Sequence, residues 1–269
     1  MKIFKSFNVL NKEINFNENI GFVPTMGSLH RGHLSLIKIA KSKSKKVLVS
    51  IFINPSQFND KKDFIKYPRN LNKDISILRK LKINYLFLPN KNEIYNKKVK
   101  KKLMILKKDK ILCAKYRKGH FEGVLAVVNR FMTNINSKYL FLGEKDFQQV
   151  YLIKKYLQNK FKTKIIACKT IRNKNKLPLS SRNKLLSKIL LKKTENISKL
   201  IFNFKNNISK NFKNIKLLEF YRSKIEKLCD KIEYFEIRNS TNLSKKISKK
   251  NFKIFIAYKI NKVRLIDNV

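Results

Sequence analysis

Short apolar runs alternate with amphipathic segments along the first two thirds of the chain, and this alternation limits the possible fold more than any other feature. The runs at residues 20–24, 47–53 and 85–88 have the length and composition of strands. Segments 34–42 and 70–81 place apolar residues at helical spacing. Strands that alternate with helices predict βαβ units and a Rossmann-like, doubly wound parallel sheet.

The same alternation continues to about residue 171. We predict helices over residues 120–135 and 146–158, and strands over 139–142 and 164–171. Gly27, Asn54 and Gly143 each closely follow a predicted strand. Because parallel strands end at one edge of a sheet, where ligands bind, we expect these three residues to gather there.

The sequence changes in character toward its C-terminus, where no glycine follows Gly143. We predict helices over residues 184–204 and 215–228, and strands over 232–237 and 252–260. The predicted domains are therefore residues 1–175, a Rossmann-like domain, and 176–269, a smaller α+β domain.

The formal net charge of +47 suggests a nucleic-acid partner, but its distribution argues against one. Only ten of the 64 basic residues are arginine, the side chain best suited to phosphates and base edges, and the lysines run along the whole chain. Lys, Asn, Ile, Phe and Tyr have A/T-rich codons, so our hypothesis is a compositional bias of the genome. We expect no specific nucleic-acid partner, although nucleic-acid binding stays open as an alternative.

Three scattered cysteines, Cys113, Cys168 and Cys229, show no CxxC spacing. This pattern favours free thiols over a disulfide framework or a zinc site. No apolar run is long enough to span a bilayer, and residues 1–10 lack the apolar core of an export signal. We therefore expect a cytoplasmic protein without a membrane partner.

A glycine turn with two histidines occupies residues 24–33, P-T-M-G-S-L-H-R-G-H. A strand ends there, the chain turns at Gly27, and a helix begins near Gly32. N–H groups at a helix N-terminus bind phosphate, and glycine lets the phosphate approach closely. His30 and His33 can both face that phosphate and donate to an oxygen that gains charge. The simpler alternative is a tight turn with two solvated histidines.

The turn resembles the HIGH-type signature of nucleotidyltransferases. The longer string over residues 23–33, V-P-T-M-G-x-L-H-x-G-H, is more specific and is similar to the pantothenate synthetase family. The resemblance implies that His30 and His33 are catalytic, with His33 as proton donor, although orienting a phosphate explains the same residue. The residues that it assigns to ATP in this segment are Met26, Gly27, Ser28, Leu29, His30, Arg31, Gly32 and His33.

Two amide-bearing segments match the same family. Residues 50–58 place Asn54 and Gln57 just past a strand, where amides can bind hydroxyls and a carboxylate without adding charge. By resemblance Gln57 contacts pantoate and later β-alanine, Asn54 supports the pantoyl group, and Gln149 also contacts pantoate.

Residues 141–149, which include Gln149, and residues 179–183 also match the family through cationic and hydroxyl side chains. The resemblance makes Lys145 catalytic, because it brings positive charge to the phosphates, and gives 179–183 the part of the superfamily's mobile second signature. The residues that it assigns to ATP here are Gly143, Glu144, Lys145, Asp146, Ile171, Leu179, Ser180, Ser181 and Arg182. Lys176 and Pro178 depart from the Gly and Ala that are common in the family.

Three other matches carry weaker expectations. Asp74, which follows Y-P-R at 67–69, could hold a Mg²⁺ water or be an ordinary surface aspartate. For His120, in G-H-F-E-G-V, we favour shaping the loop over proton transfer. Residues 264–268, R-L-I-D-N, match the family's C-terminus without a predicted role.

Together these matches imply an ATP-dependent ligase that activates pantoate as an adenylate and transfers the pantoyl group to β-alanine. The resemblance further implies Mg²⁺, a homodimer and a lid formed by the smaller domain. Alternatives are another nucleotidyltransferase of the same fold, which Gln57 and Gln149 disfavour, and a decayed enzyme that keeps only its fold.

Overall fold

The computed structural model describes residues 1–95, 103–210 and 215–269. The chain divides into two compact units. The first unit consists of Met1–Glu144 and Gln148–Lys169, and the second of Lys145–Phe147 and Thr170–Val269. The predicted division at residue 175 stays a prediction, as does the lid.

The first unit is built on six parallel strands in the order β1-β4-β3-β2-β5-β6. The strands of this sheet are β1 (Lys2–Phe4), β2 (Ile20–Thr25), β3 (Lys46–Ile51), β4 (Tyr85–Phe87), β5 (Tyr139–Gly143) and β6 (Lys164–Cys168). The chain runs outward from β2 through β3 to β4 and then returns to β5 on the other side of β2. The predicted doubly wound sheet is confirmed, and its topological switch point lies between β2 and β5.

Helices connect these strands. In chain order they are α1 (Phe7–Glu13), α2 (Arg31–Lys43), α3 (Lys61–Lys66), α4 (Leu71–Lys80), α5 (Lys91–Ile94), α6 (Cys113–Tyr116), α7 (His120–Asn134) and α8 (Phe147–Leu157). The apolar face predicted for α2 is confirmed, because Ile37 and Ala40 are fully buried. They pack with Val23, Val47 and other strand residues in one hydrophobic cluster.

The carboxyl ends of β2, β3 and β5 lie side by side at one edge of the sheet. Gly27 and Asn54 follow β2 and β3 by two or three residues, and Gly143 is the last residue of β5. The predicted gathering of these three residues at one edge is therefore confirmed.

The second unit contains a three-stranded antiparallel sheet and two long helices. These elements are α9 (Lys188–Lys210), α10 (Ile215–Glu226), β7 (Lys231–Asn239), β8 (Phe252–Ile260) and β9 (Val263–Asn268). Ile197, Ile201, Phe204 and Ile208 lie at helical spacing on α9 and pack with buried residues of α10 and the sheet. The predicted smaller α+β unit is confirmed in its architecture.

Some predicted boundaries were wrong. The strand predicted over 164–171 ends at Cys168, and the helix predicted over 184–204 begins only at Lys188. Ser187 accounts for the later start, because its Oγ accepts the N–H of Leu190 and caps the helix. A short 3₁₀ turn, Ser181–Leu185, precedes it. Within the described parts of the chain, no helix is long and apolar enough to cross a membrane.

Candidate active site

The turn after β2 is held by a buried carboxylate. Gly27 and Ser28 both adopt left-handed backbone conformations, with φ of +76° and +52°. This turns the N–H groups of Ser28 and Leu29 toward Asp74 of α4, whose Oδ2 and Oδ1 accept them at 2.7 and 2.8 Å. A side chain at Gly27 would come within 3.0 Å of Asp74 Oδ2, so only glycine leaves the carboxylate room.

His30 and His33 together cap the N-terminus of α2. His30 Nδ1 accepts the N–H of Gly32 at 3.1 Å, and His33 Nδ1 accepts the N–H of His30 at 3.4 Å. The two rings lie 4.1 Å apart between centroids. Because each Nδ1 is an acceptor, the proton of each neutral ring lies on Nε2, which can donate to an anionic ligand.

The backbone N–H groups of this turn, which were expected to bind phosphate, already have partners. The N–H groups of Gly27, Ser28, Leu29, His30 and Gly32 all have acceptors within the protein. A glycine turn before a helix predicts N–H groups that are aimed at a ligand, but here carboxylate, hydroxyl and imidazole groups accept them. These five N–H groups therefore hold the turn and cap α2.

The amides after β3 form a hydrogen-bonded network. Asn54 is buried and its Nδ2 donates to Gln57 Oε1 and to the Gly123 carbonyl, both at 3.1 Å. The Tyr95 hydroxyl donates to Asn54 Oδ1 and lies 2.6 Å from Ser56 Oγ. Asn54 therefore fixes the Gln57 amide, and Tyr95, which the sequence analysis did not select, fixes Asn54.

Two basic side chains hold the backbone of Gln57. Its carbonyl oxygen lies 2.6 Å from His120 Nδ1 and accepts a hydrogen bond from Arg117 Nη2 at 2.9 Å. Helix α7 can approach this closely because Gly123 has no side chain: a Cβ there would lie 2.6 Å from the Ser56 carbonyl oxygen. These contacts favour the loop-shaping role expected for His120, and Arg117 is a residue that sequence reasoning missed.

The two glutamines that open α8 differ in environment. Gln148 is buried and its Nε2 donates to the Ile111 carbonyl at 2.7 Å, whereas Gln149 is half-buried. Gly143 and Glu144, at the end of β5, are also half-buried. The first unit thus presents Gln149 and the switch-point residues at the edge where ligands of such sheets bind.

In the second unit, Lys145 is a half-buried cation whose backbone is fixed. Its carbonyl oxygen accepts a hydrogen bond from Asn268 Nδ2 at 2.9 Å. Its Nζ lies 3.8 Å from Asp146 Oδ1, a distance that leaves the ammonium only loosely paired with that partly exposed carboxylate. Phe147 follows and packs edge-on against Phe255 of β8.

Residues 171–179 form a tight hairpin with Lys176 near its tip. Leu179 N–H donates to the Ile171 carbonyl at 3.0 Å, and Arg172 pairs with Pro178 across the hairpin. Lys176 has a φ of +69°, a conformation that suits the glycine expected there. Lysine is accommodated nevertheless, because Arg172 Nη1 donates to its carbonyl at 2.8 Å.

The hairpin leads into the hydroxyl-rich segment 180–182. Ser180 caps the 3₁₀ turn that follows by accepting the N–H of Arg182 at 3.3 Å, and Ser181 is buried. A cleft in the second unit is lined in part by Lys145, Ser180, Arg182 and Arg264. Arg264 is already paired with Glu233 at 2.8 Å, so Lys145, Arg182 and the Ser180 hydroxyl are the groups of this cleft whose chemistry suits phosphate oxygens.

A metal ligand at Asp74 is disfavoured by its contacts. Both carboxylate oxygens already accept backbone N–H bonds in a buried place, so coordinating a cation would break them. Nowhere in the described ranges do three His, Cys, Asp or Glu side chains lie together as metal ligands. The assignment of Mg²⁺ to Asp74 stays a prediction.

A doubly wound parallel sheet with polar side chains at its switch point, and a cationic cleft in a second unit, are typical of nucleotide-dependent α/β enzymes. A model of the pantoate-beta-alanine ligase family matches residues 2–269. Two pantothenate synthetases are among the similar proteins. That of Francisella tularensis subsp. mediasiatica (strain FSC147) is 41% identical and covers 98% of this chain and 94% of its own. That of subsp. novicida (strain U112) is 43% identical and covers 93% and 89%.

Solved structures agree with these similarities. The pantothenate synthetase from Thermus thermophilus matches with a TM-score of 0.92 and 28% identity, covering 100% of this chain and 99% of that one. The Francisella tularensis pantoate-beta-alanine ligase, solved with beta-gamma ATP and beta-alanine, matches with a TM-score of 0.86 and 39% identity over 100% and 97%. The chain belongs to the pantoate–β-alanine ligase family, and it is an enzyme that joins pantoate to β-alanine to form pantothenate.

Proposed function

We propose that this ligase uses ATP to activate pantoate through a pantoyl adenylate. A pantoate carboxylate oxygen attacks the α-phosphorus, and the bond from that phosphorus to the β-phosphate oxygen breaks, releasing pyrophosphate. The β-alanine amine then attacks the acyl carbon, loses a proton and releases AMP. The relative crystallised with a form of ATP and β-alanine, at 39% identity, supports both substrates.

The paired histidines carry the proposal for the first step. We infer that Nε2–H of His30 and of His33 donate to phosphate oxygens that gain charge as pyrophosphate leaves. The cap on α2 holds both rings before ATP arrives, so little reorganisation is needed in the transition state. Phosphate orientation accounts for His33 without proton transfer. The nucleotide contacts assigned to residues 26–33 by resemblance belong to the same proposal.

Cationic and hydroxyl groups of the second unit are proposed to bind the β- and γ-phosphates. The lining of the cleft by Lys145, Ser180 and Arg182 supports this role. Ser181 is buried, which favours support of the turn over direct contact. Contacts of the nucleotide with Gly143, Glu144, Asp146, Ile171 and Leu179 remain proposals that rest on the resemblance.

Pantoate is assigned to Gln57 and Gln149. The network around Gln57 supports this, because Asn54 holds its Oε1 and the backbone carbonyl is fixed by two further donors. A side chain held at both ends loses little entropy when it binds a ligand. Asn54 then acts by orienting Gln57.

Three other expectations complete the proposal. We expect Mg²⁺ to bind together with the ATP phosphates. Measuring AMP release with and without added Mg²⁺ would test this. A homodimer is expected, and sedimentation would reveal its mass. A cytoplasmic location agrees with three scattered cysteines, Cys113, Cys168 and Cys229, that show no CxxC spacing.

The decisive experiment measures AMP and pyrophosphate release. Pyrophosphate should form from ATP only when pantoate is present, and AMP release should follow addition of β-alanine. His33→Ala and Lys145→Ala should each lower kcat at least about 100-fold, the scale of losing a charge-stabilising donor. Lys154→Ala, an exposed lysine of α8, is the control and should keep full activity. Unchanged activity in His33→Ala and Lys145→Ala would refute the site.

A further inference from the structure

The C-terminal strand ends in two buried polar residues that the proposed reaction leaves without a role. Asp267 and Asn268 are 4% and 5% exposed. They belong to the R-L-I-D-N segment at 264–268, and both contact segments that carry proposed phosphate ligands. The contacts lie entirely within the second unit.

Asp267 fastens the base of the hairpin that leads to Ser180 and Arg182. Arg172 donates from Nη1 to Oδ2 at 2.8 Å and from Nη2 to Oδ1 at 2.7 Å, which makes a bidentate pair. The same guanidinium donates to the Asn268 carbonyl at 2.8 Å and to the Lys176 carbonyl near the hairpin tip. The Arg172 guanidinium therefore connects β9 to the backbone near the hairpin tip.

Asn268 holds the other segment. Its Nδ2 donates to the Lys145 carbonyl, and its own N–H donates to Asp267 Oδ1 at 2.7 Å. Fixing the carbonyl of Lys145 limits rotation of that peptide plane and so sets the direction in which its side chain leaves the backbone. Two adjacent residues of β9 thus fix the position of the Lys145 backbone relative to the hairpin.

We propose that Asp267 and Asn268 are positioning residues for the ligase reaction, which keep Lys145 and the 180–182 segment correctly spaced for the departing phosphates. This inference rests on the proposed function of those groups. Its physical basis is that charge stabilisation depends on donors placed before the reaction, and small displacements weaken it. A buried ion pair is by itself a weak source of stability, so the pair between Arg172 and Asp267 suits a positioning role better than a stabilising one.

The first test compares two buried asparagines. Asn268→Ala removes the donor to the Lys145 carbonyl. Asn239→Ala removes a similarly buried donor, whose Nδ2 bonds the Lys246 carbonyl at 3.0 Å away from these segments, together with the Oδ1 that accepts the N–H groups of Thr241 and Asn242. Asn239→Ala should therefore lose at least as much stability in urea as Asn268→Ala. Asn268→Ala should lower kcat about 10-fold with KM for ATP changed less than about twofold, because the contact acts on the transition state. Asn239→Ala should keep its kcat.

The second test uses the ion pair. Arg172→Gln and Asp267→Asn should each destabilise the protein, because each leaves a buried charge without its partner. The double variant should regain stability while kcat stays about 10-fold low. Recovery of kcat together with stability, or a kcat for Asn268→Ala equal to that of Asn239→Ala, would overturn the inference. Those results would leave the proposed function intact as long as Lys145→Ala and His33→Ala remain inactive.

Discussion

At the residue scale, the candidate site depends on side chains that hold the backbone or another side chain in place. Asp74 holds the turn after β2, and Tyr95 holds the asparagine that orients Gln57. Neither Asp74 nor Tyr95 need touch a substrate to matter. Each can be removed by a small substitution that keeps the shape of the side chain, so each role can be tested separately.

Replacing Asp74 should disrupt the turn and not the metal chemistry. In Asp74→Asn the amide nitrogen would oppose one of the two N–H groups, so we expect the free energy of unfolding to fall by about 2–3 kcal/mol. We also expect kcat/KM to fall, and added Mg²⁺ not to restore it. Asp60→Asn is the control, because asparagine caps a helix as well as aspartate does. Rescue of Asp74→Asn by high Mg²⁺ would instead support the metal role.

Removing the Tyr95 hydroxyl should affect pantoate more than ATP. Burial raises the pKa of Tyr95, so the hydroxyl stays protonated and can donate to Asn54 throughout the assay range. In Tyr95→Phe we expect KM for pantoate to rise about 5-fold, equivalent to about 1 kcal/mol for one lost hydrogen bond. Tyr221→Phe also loses a buried hydroxyl bond, to Asn207, and should leave KM unchanged. Equal KM values in the two variants would contradict the prediction.

At the scale of elements, β8 and β9 are joined by a two-residue turn whose sequence is not ideal. Asn261 and Lys262 have φ of +45° and +65°, as a type I′ turn requires. Asparagine suits the first place, but glycine suits the second better than lysine. The turn is therefore a place where the chain can be stabilised.

Lys262→Gly should raise the free energy of unfolding by about 0.5–1 kcal/mol, because it removes the left-handed strain of a side chain. Lys259→Gly, the same substitution in the interior of β8, should lower it by about 0.5–1 kcal/mol. Urea denaturation measures both. Effects of the same sign would mean that the turn conformation does not decide the outcome.

Several elements were predictable because their pattern is local. The face of α2 and the runs of β2 and β3 follow from the spacing and type of apolar residues, so they could be predicted. Strand β1 has only three residues and forms by pairing with β4, about eighty residues away. Local sequence carries no trace of such a partner, which is why β1 was missed. Strand β9 was seen only as a family motif, although its partner β8 is joined to it by a two-residue turn.

At the scale of the whole molecule, buried thiol and phenol groups make the free energy of unfolding decrease at high pH. Burial raises the pKa of Cys168 to about 11, and burial also raises the pKa of Tyr258. In the unfolded chain the thiol loses its proton near pH 9, where the folded protein still holds it. Between pH 9 and 11 the unfolded state therefore gains stability relative to the folded state.

Denaturation in urea at about pH 8, 9 and 10 should show this loss. The free energy of unfolding should fall from about pH 9 to about pH 10, and Cys168→Ala should reduce the slope because it removes one of the titrating groups. At about pH 8 the buried thiol should also resist alkylation in the folded protein. An identical slope in wild type and variant would show that Cys168 does not contribute.

The sequence alone determined the alternation of the central strands and helices, the family and the candidate site residues, because these depend on local spacing and short motifs. The net charge of +47 suggested a nucleic-acid partner, and the spread of lysines along the whole chain argued against one. Only the tertiary structure decided which side chains hold the candidate site residues in place. Asp74, Tyr95, Arg117 and Asp267 act through partners distant in the chain, and the sequence does not record which backbone group a buried side chain will meet.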